Sequence, residues 1–196
     1  MHSKYELKDL MNVGIFVVLY FSAFFVGMCF GYIPVLMGVL TLITGIICGI
    51  PFMLFLTKVK KPGMILLFAV ICGLLSLGMG SGVWPLLTAV IAGVLAELLM
   101  WAFHYEATIK LVLVHAVFSL WNSGYGLRLY LASFDSYRAQ LVENYGEEYV
   151  AEMLQNVTGV GFWGGLVLTI VGGILGGLLG YAVLKKHFRK ISTTAQ

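Results

Sequence analysis

The residues best equipped for chemistry lie in the stretch LVLVHAVFSLWNSGYGLRLY, residues 111–130. On a helix, His115, Ser119, Asn122 and Gly126 fall near one face, at steps of four, three and four, and Trp121, Tyr125 and Arg128 fall on the adjacent face. Polar groups inside an apolar helix are costly unless they meet a partner, a cavity or a ligand, so they are default functional candidates. One reading makes the outer half of this helix the wall of a small-molecule pocket. The other makes it a helix end whose Trp, Tyr and Arg anchor among lipid headgroups. Anchoring accounts for Arg128 and one aromatic, and leaves Asn122 beneath them unexplained.

Other groups could share that pocket. Tyr32, Trp84 with Pro85, and Trp163 are expected near the same level as Trp121, Asn122, Tyr125 and Arg128. Aromatic rings with a few hydrogen-bonding groups suit a planar or heterocyclic ligand; an interfacial aromatic belt would claim about half of them. A second polar pair is expected at the inner side. Glu97 lies six residues before the end of its helix and His115 five residues beyond Lys110, roughly 9 and 8 Å from the same border, so the two can share a level. A structural Glu97–His115 hydrogen bond is the favoured reading, with a proton relay as the competitor.

Catalysis has no visible basis. GxSxG, HExxH, a Walker motif and paired intramembrane carboxylates are all absent, so no catalytic residues are assigned and an enzyme is not expected. Cys29, Cys48 and Cys72 lie in apolar runs without CxxC or histidine spacing, which argues against a disulfide or a metal site. No intrinsic cofactor is implied. A nucleic-acid partner is not expected either, because there is no soluble basic domain.

The elements that must position these groups follow from hydropathy. The chain has 196 residues, 60% hydrophobic and 11% charged, with a mean hydropathy of +0.97. Continuous apolar runs exclude a β-barrel and specify an all-α polytopic membrane protein. Six helices forming a single membrane domain are expected over about residues 11–30, 35–57, 64–79, 86–103, 108–131 and 161–184. Residues 1–10 read as an amphipathic segment lying on the membrane surface. Gly49 and Pro51 should kink the second helix. Residues 137–155 read as an outer amphipathic helix, either a lid over the bundle or an ordinary solvated helix. Gly172, Gly176 and Gly180 form the small-xxx-small ridge of tight membrane packing. The basic tail, residues 185–196, suits anionic headgroups.

Charge fixes the expected topology. Lys4, Lys8, Lys58, Lys60, Lys61, Lys110, Lys185, Lys186, Arg189 and Lys190 fall on one side of a six-helix arrangement; Arg128 and Arg138 are the exceptions. The positive-inside rule then places both termini in the cytoplasm of a multi-pass cell-membrane protein.

An apolar chain of this length, with LKDLMNVGIF leading into the first helix, the TKVKKPG loop, AGVLAELLM in the fourth helix and a basic C-terminal cluster, resembles the Trep_Strep family. Members of that family look like substrate-binding S components of energy-coupling factor (ECF) transporters, a division of the ABC importers. The resemblance implies a six-helix subunit that captures a micronutrient from outside, vitamin-like or haem, and delivers it with a transmembrane T component and two cytoplasmic ATPases. It also implies docking through the first helix, commonly by an Ala-xxx-Ala pair. This chain departs from that pattern and offers Gly14, Ser22 and the Ala23-xxx-Gly27 pair instead. A structural or regulatory membrane protein without a transport role is the competing class.

Overall fold

The computed structural model describes residues 6–104, 109–132 and 137–193, without the side chains of residues 34, 132 and 187–193. Residues 1–5 of the amphipathic opening segment, and the end of the basic tail, lie outside them. The described residues hold nine α-helices, three 3₁₀ turns and no strand. Four segments are long and apolar enough to cross a membrane: Leu7–Tyr32, Val35–Lys58, Trp84–Ala102 and Val160–Lys186. Met64–Gly78 is a shorter apolar helix.

Helix α1 (Leu7–Met28) begins earlier than hydropathy suggests. Glu6 and Asp9 form a reciprocal capping box, and Asp9 also pairs with Lys61 at 2.6 Å. That capping draws residues 7–10 into the first turn of α1, so they are not a separate surface segment. A 3₁₀ turn, Pro34–Val39, precedes α2 (Leu40–Lys58), which contains Pro51. Gly63, with φ +79°, opens α3 (Met64–Gly78). Helix α4 (Trp84–Ala102) follows a turn in which Gly80 and Gly82 both have positive φ.

The expected fifth helix is three pieces: α5 (Leu111–Ser119), a 3₁₀ turn (Leu120–Asn122) and α6 (Ser123–Ala132). Tightening here coincides with close packing, because a Cβ on Gly124 would lie 2.5 Å from Pro85 Cα. Thr88 Oγ1 donates to the Trp121 carbonyl at 2.8 Å within that turn. The outer segment is a helical corner, α7 (Tyr137–Tyr145) and α8 (Glu147–Val157), with Gly146 at φ +84° between them and an Arg138–Glu147 ion pair across it. Helix α9 (Val160–Thr193) runs past the expected end into the basic tail.

Two kinds of packing hold the bundle. Helices α2 and α9 meet along glycine: a Cβ on Gly49 would sit 2.1 Å from the Gly176 carbonyl, and one on Gly45 would sit 2.8 Å from Gly172. Gly49 therefore serves close helix approach. Elsewhere the core is aromatic. Tyr20, Phe52, Phe55, Phe68, Phe118 and Trp121 are all fully buried, and Phe52 stacks on Phe118 at 4.2 Å. Trp121 Nε1 donates to the Tyr20 hydroxyl at 2.8 Å, satisfying the indole inside this cluster.

The expected inner pair does not form. His115 is fully buried, but its Nε2 lies 3.0 Å from the Gly45 carbonyl, and its ring packs on Phe52. Glu97 Oε2 instead accepts the Ile65 backbone N–H at 3.0 Å. The physical reason is local demand. The first turn of α3 leaves backbone N–H groups without helical partners, and a carboxylate at that positive helix end is favoured over one facing an imidazole.

Candidate functional site

A cavity of about 350 Å³ opens at the end of the bundle where α6, α7 and α8 gather. Its innermost polar groups are Thr44, Asn122 and Thr169, exposed by only 1%, 3% and 0%. Toward the mouth the lining becomes accessible: Tyr32 is 70% exposed and Tyr145 50%. Between these ends the wall is aromatic and thioether, with Phe24, Tyr125, Tyr137, Tyr149, Phe162, Met28, Met37 and Met153. A mostly apolar lining with few polar groups matches the general make-up of small-molecule sites.

The residue pattern of the central helix delivers these groups. The 3₁₀ turn presents Asn122 beside Thr44 of α2, with Nδ2 3.5 Å from Thr44 Oγ1, while Asn122 Oδ1 has no hydrogen-bond partner. One turn on, the Tyr125 hydroxyl meets Ser76 Oγ at 2.6 Å. Arg128 follows at the wider end. It donates from Nη1 to the Gly80 carbonyl at 2.6 Å, and its guanidinium lies 3.7 Å from the centre of the Tyr137 ring. Arg128 is thus held in place by one carbonyl and one ring, with its remaining N–H groups available to the cavity it lines.

The corner formed by α7 and α8 covers this end. Leu141, Val150 and Met153 make a small core beneath it, and the Tyr149 hydroxyl donates to the Gly31 carbonyl at 2.7 Å. Partial burial pushes the Tyr149 phenol above its usual pKa, so it stays a neutral donor through physiological pH. Tyr137 is shifted the same way by burial, against the opposing pull of Arg128.

Of the seven expected ligand residues, Tyr32, Asn122, Tyr125 and Arg128 line the cavity, and Trp84, Trp121 and Trp163 do not. Trp121 faces the aromatic core and stands behind the wall, 5.0 Å from the Phe24 ring and 5.9 Å from the Tyr125 ring. Trp84 occupies the first turn of α4 and is partly buried away from the cavity. Trp163 is 66% exposed with its ring against Phe162, as interfacial anchoring requires.

Sequence reasoning missed the opposite wall: Thr41 and Thr44 on α2, Thr169 on α9, and the Tyr149–Met153 face of α8. A signal existed, since three threonines interrupt strongly apolar runs, and intramembrane polar residues are functional candidates.

The expected docking residues separate as well. Gly14 and Ser22 lie on the exposed side of α1, and a Cβ on Gly14 meets nothing within 4 Å. Ala23 is partly buried against the core. Gly27 faces inward, where a Cβ would come within 2.9 Å of Thr44, so it serves the α1–α2 contact and not an outside partner.

A family model described as a hypothetical bacterial integral membrane protein (Trep_Strep) matches residues 7–190. Neither the curated proteins nor the solved structures contain a match to the chain. The match spans nearly all of the sequence, and the chain belongs to the Trep_Strep family.

Proposed function

We propose that this Trep_Strep member is a substrate-binding membrane subunit, of the S-component type, in an ECF importer. The observation that carries the reading is the cavity. It has a buried amide at its inner end, a fixed guanidinium at its mouth, aromatic walls between them, and a helical corner over the top. Among the described residues two buried acceptors lack a donor, His115 Nδ1 and Asn122 Oδ1, and only Asn122 belongs to the cavity wall, where a bound molecule can supply one.

In this reading the chain crosses the membrane six times, by α1, α2, α3, α4, α5 with α6, and α9. Both termini are cytoplasmic and the α7–α8 corner is outside. The lysines at residues 58–61 and 185–186 support that orientation. Substrate enters from outside beneath the corner and is held by Asn122, Tyr125, Arg128 and the aromatic walls. The chain carries no ATPase motif, so a T component and two cytoplasmic ATPases supply the energy. The exposed strip of α1 with Gly14 and Ser22 is the proposed docking face. A vitamin-sized planar acid suits the site better than haem, because a cavity of about 350 Å³ with one fixed cation is small for a macrocycle that carries two carboxylates.

The test is purification from native membranes, followed by mass spectrometry and an absorbance spectrum of what co-purifies. A stoichiometric small organic molecule together with a T component and ATPases is the expected result. A chain that purifies alone, and binds nothing from a cell extract, removes the transport reading.

A further inference from the structure

We infer that the inner end of the cavity selects hydrogen-bond donors. The substrate presents an N–H or O–H edge there, such as a lactam, amino or pyrrole-type N–H of a flat heterocycle, and turns an acidic group toward Arg128. This rests on the proposed reading of the cavity as a substrate site and adds the chemistry it reads.

Thr44 Oγ1 lies 3.0 Å from the Leu40 carbonyl and 3.1 Å from the Thr41 carbonyl. Both carbonyls only accept, so the single hydroxyl hydrogen is committed to them. Toward Asn122 that hydroxyl can therefore only accept, and the amide atom 3.5 Å away must be Nδ2. The orientation of the amide follows from its partner. Asn122 Oδ1 is then left without a donor in a side chain 97% buried.

The neighbouring groups repeat the pattern. Thr41 and Thr169 both donate to the Gly165 carbonyl, at 3.1 and 2.7 Å, and Ser123 donates to the Leu120 carbonyl at 2.6 Å. All three residues line the cavity, and each hydroxyl has its hydrogen already committed to backbone, leaving lone pairs. Buried acceptors want donors, and no lining side chain supplies one to Oδ1. The opposite preference holds at Arg128, which can only donate.

The experiment is equilibrium dialysis of the full-length protein, purified in detergent, against three planar carboxylates: 6-carboxypterin, indole-3-carboxylate and 1-methylindole-3-carboxylate. The last two differ by one N–H. Indole-3-carboxylate should bind about tenfold more tightly than its methylated partner, and 6-carboxypterin more tightly still. Asn122→Leu should bring the indole ratio close to one, with a thermal melt in detergent reporting whether the variant is folded. If that variant does not fold, the wild-type ratio decides. Equal binding of the two indoles overturns the donor preference and leaves the cavity as a binding site. Binding of none of the three overturns the inferred donor-edged acid, and the binding reading itself then stands or falls on the cell-extract experiment.

Discussion

At the scale of single residues, position relative to the cavity decides what a substitution should do. Arg128→Ala removes a charge-assisted contact worth about 1.5–3 kcal/mol and should weaken binding of the co-purified ligand at least about tenfold by calorimetry. Arg128→Lys should recover little, since an ammonium cannot both reach the Gly80 carbonyl and stack flat on Tyr137. His115→Ala should show the reverse pattern. It empties a buried site and leaves the Gly45 carbonyl without its side-chain partner, costing about 2–5 kcal/mol of stability in a detergent melt, with affinity changed little. Collapse of affinity in His115→Ala with an unchanged melt would place the site at the wrong depth. Much of the cavity was legible one helix at a time: Asn122, Tyr125 and Arg128 announce themselves by polarity and spacing within an apolar run. The tryptophans misled because size and level alone do not say which way a ring faces. Trp121 satisfies its N–H on Tyr20, a partner 101 residues away in sequence that no local pattern reveals. The Glu97–His115 pairing failed for a related reason: shared depth on two helices does not fix which neighbour each side chain meets.

At the scale of elements, α1 offers a controlled comparison. Gly14→Leu and Ser22→Leu face outward and should leave the fold and ligand affinity intact while reducing co-purification with a T component. Gly27→Leu should instead lower both stability and affinity, because its side chain displaces Thr44 beneath Asn122. Unchanged assembly in the Gly14 and Ser22 double variant would move docking off α1. The α7–α8 corner can be tested through its tether to Gly31, in the 3₁₀ turn Cys29–Tyr32 that follows α1. Tyr149→Phe removes one hydrogen bond, about 1 kcal/mol, and should speed ligand dissociation roughly fivefold in a stopped-flow chase. The raised pKa of that phenol sets the sign of any pH effect. The tether persists below it and is lost only as strongly alkaline pH deprotonates the donor, so dissociation should be flat across neutral pH. Hydropathy located the long helices well because burial in lipid demands continuous apolar runs. It could not locate the break at Leu120–Asn122, which depends on Thr88 and Pro85 of another helix, nor the capping box that lengthens α1.

At the scale of the whole molecule, the proposed orientation has a direct check. Single cysteines near Lys60 and in the C-terminal tail should react with an impermeant maleimide only in inverted vesicles, and one replacing Glu147 only in intact cells. Labelling of the Glu147 position solely from the cytoplasmic side would refute a six-pass arrangement. The glycine seam between α2 and α9 has a further consequence, for synthesis. Gly176 follows Gly49 by roughly 130 residues, about 6–25 s of translation at about 5–20 residues per second. Throughout that interval α2 sits in the bilayer with its glycine face uncovered, because the helix that fits it leaves the ribosome roughly 130 residues later. The nascent chain therefore waits in an incompletely assembled state that an insertase or a membrane-bound chaperone can shield and a quality-control protease can recognise. A chain stopped after Thr158 should be inserted normally yet degraded rapidly in a pulse-chase, and supplying residues 159–196 as a separate fragment should restore its lifetime.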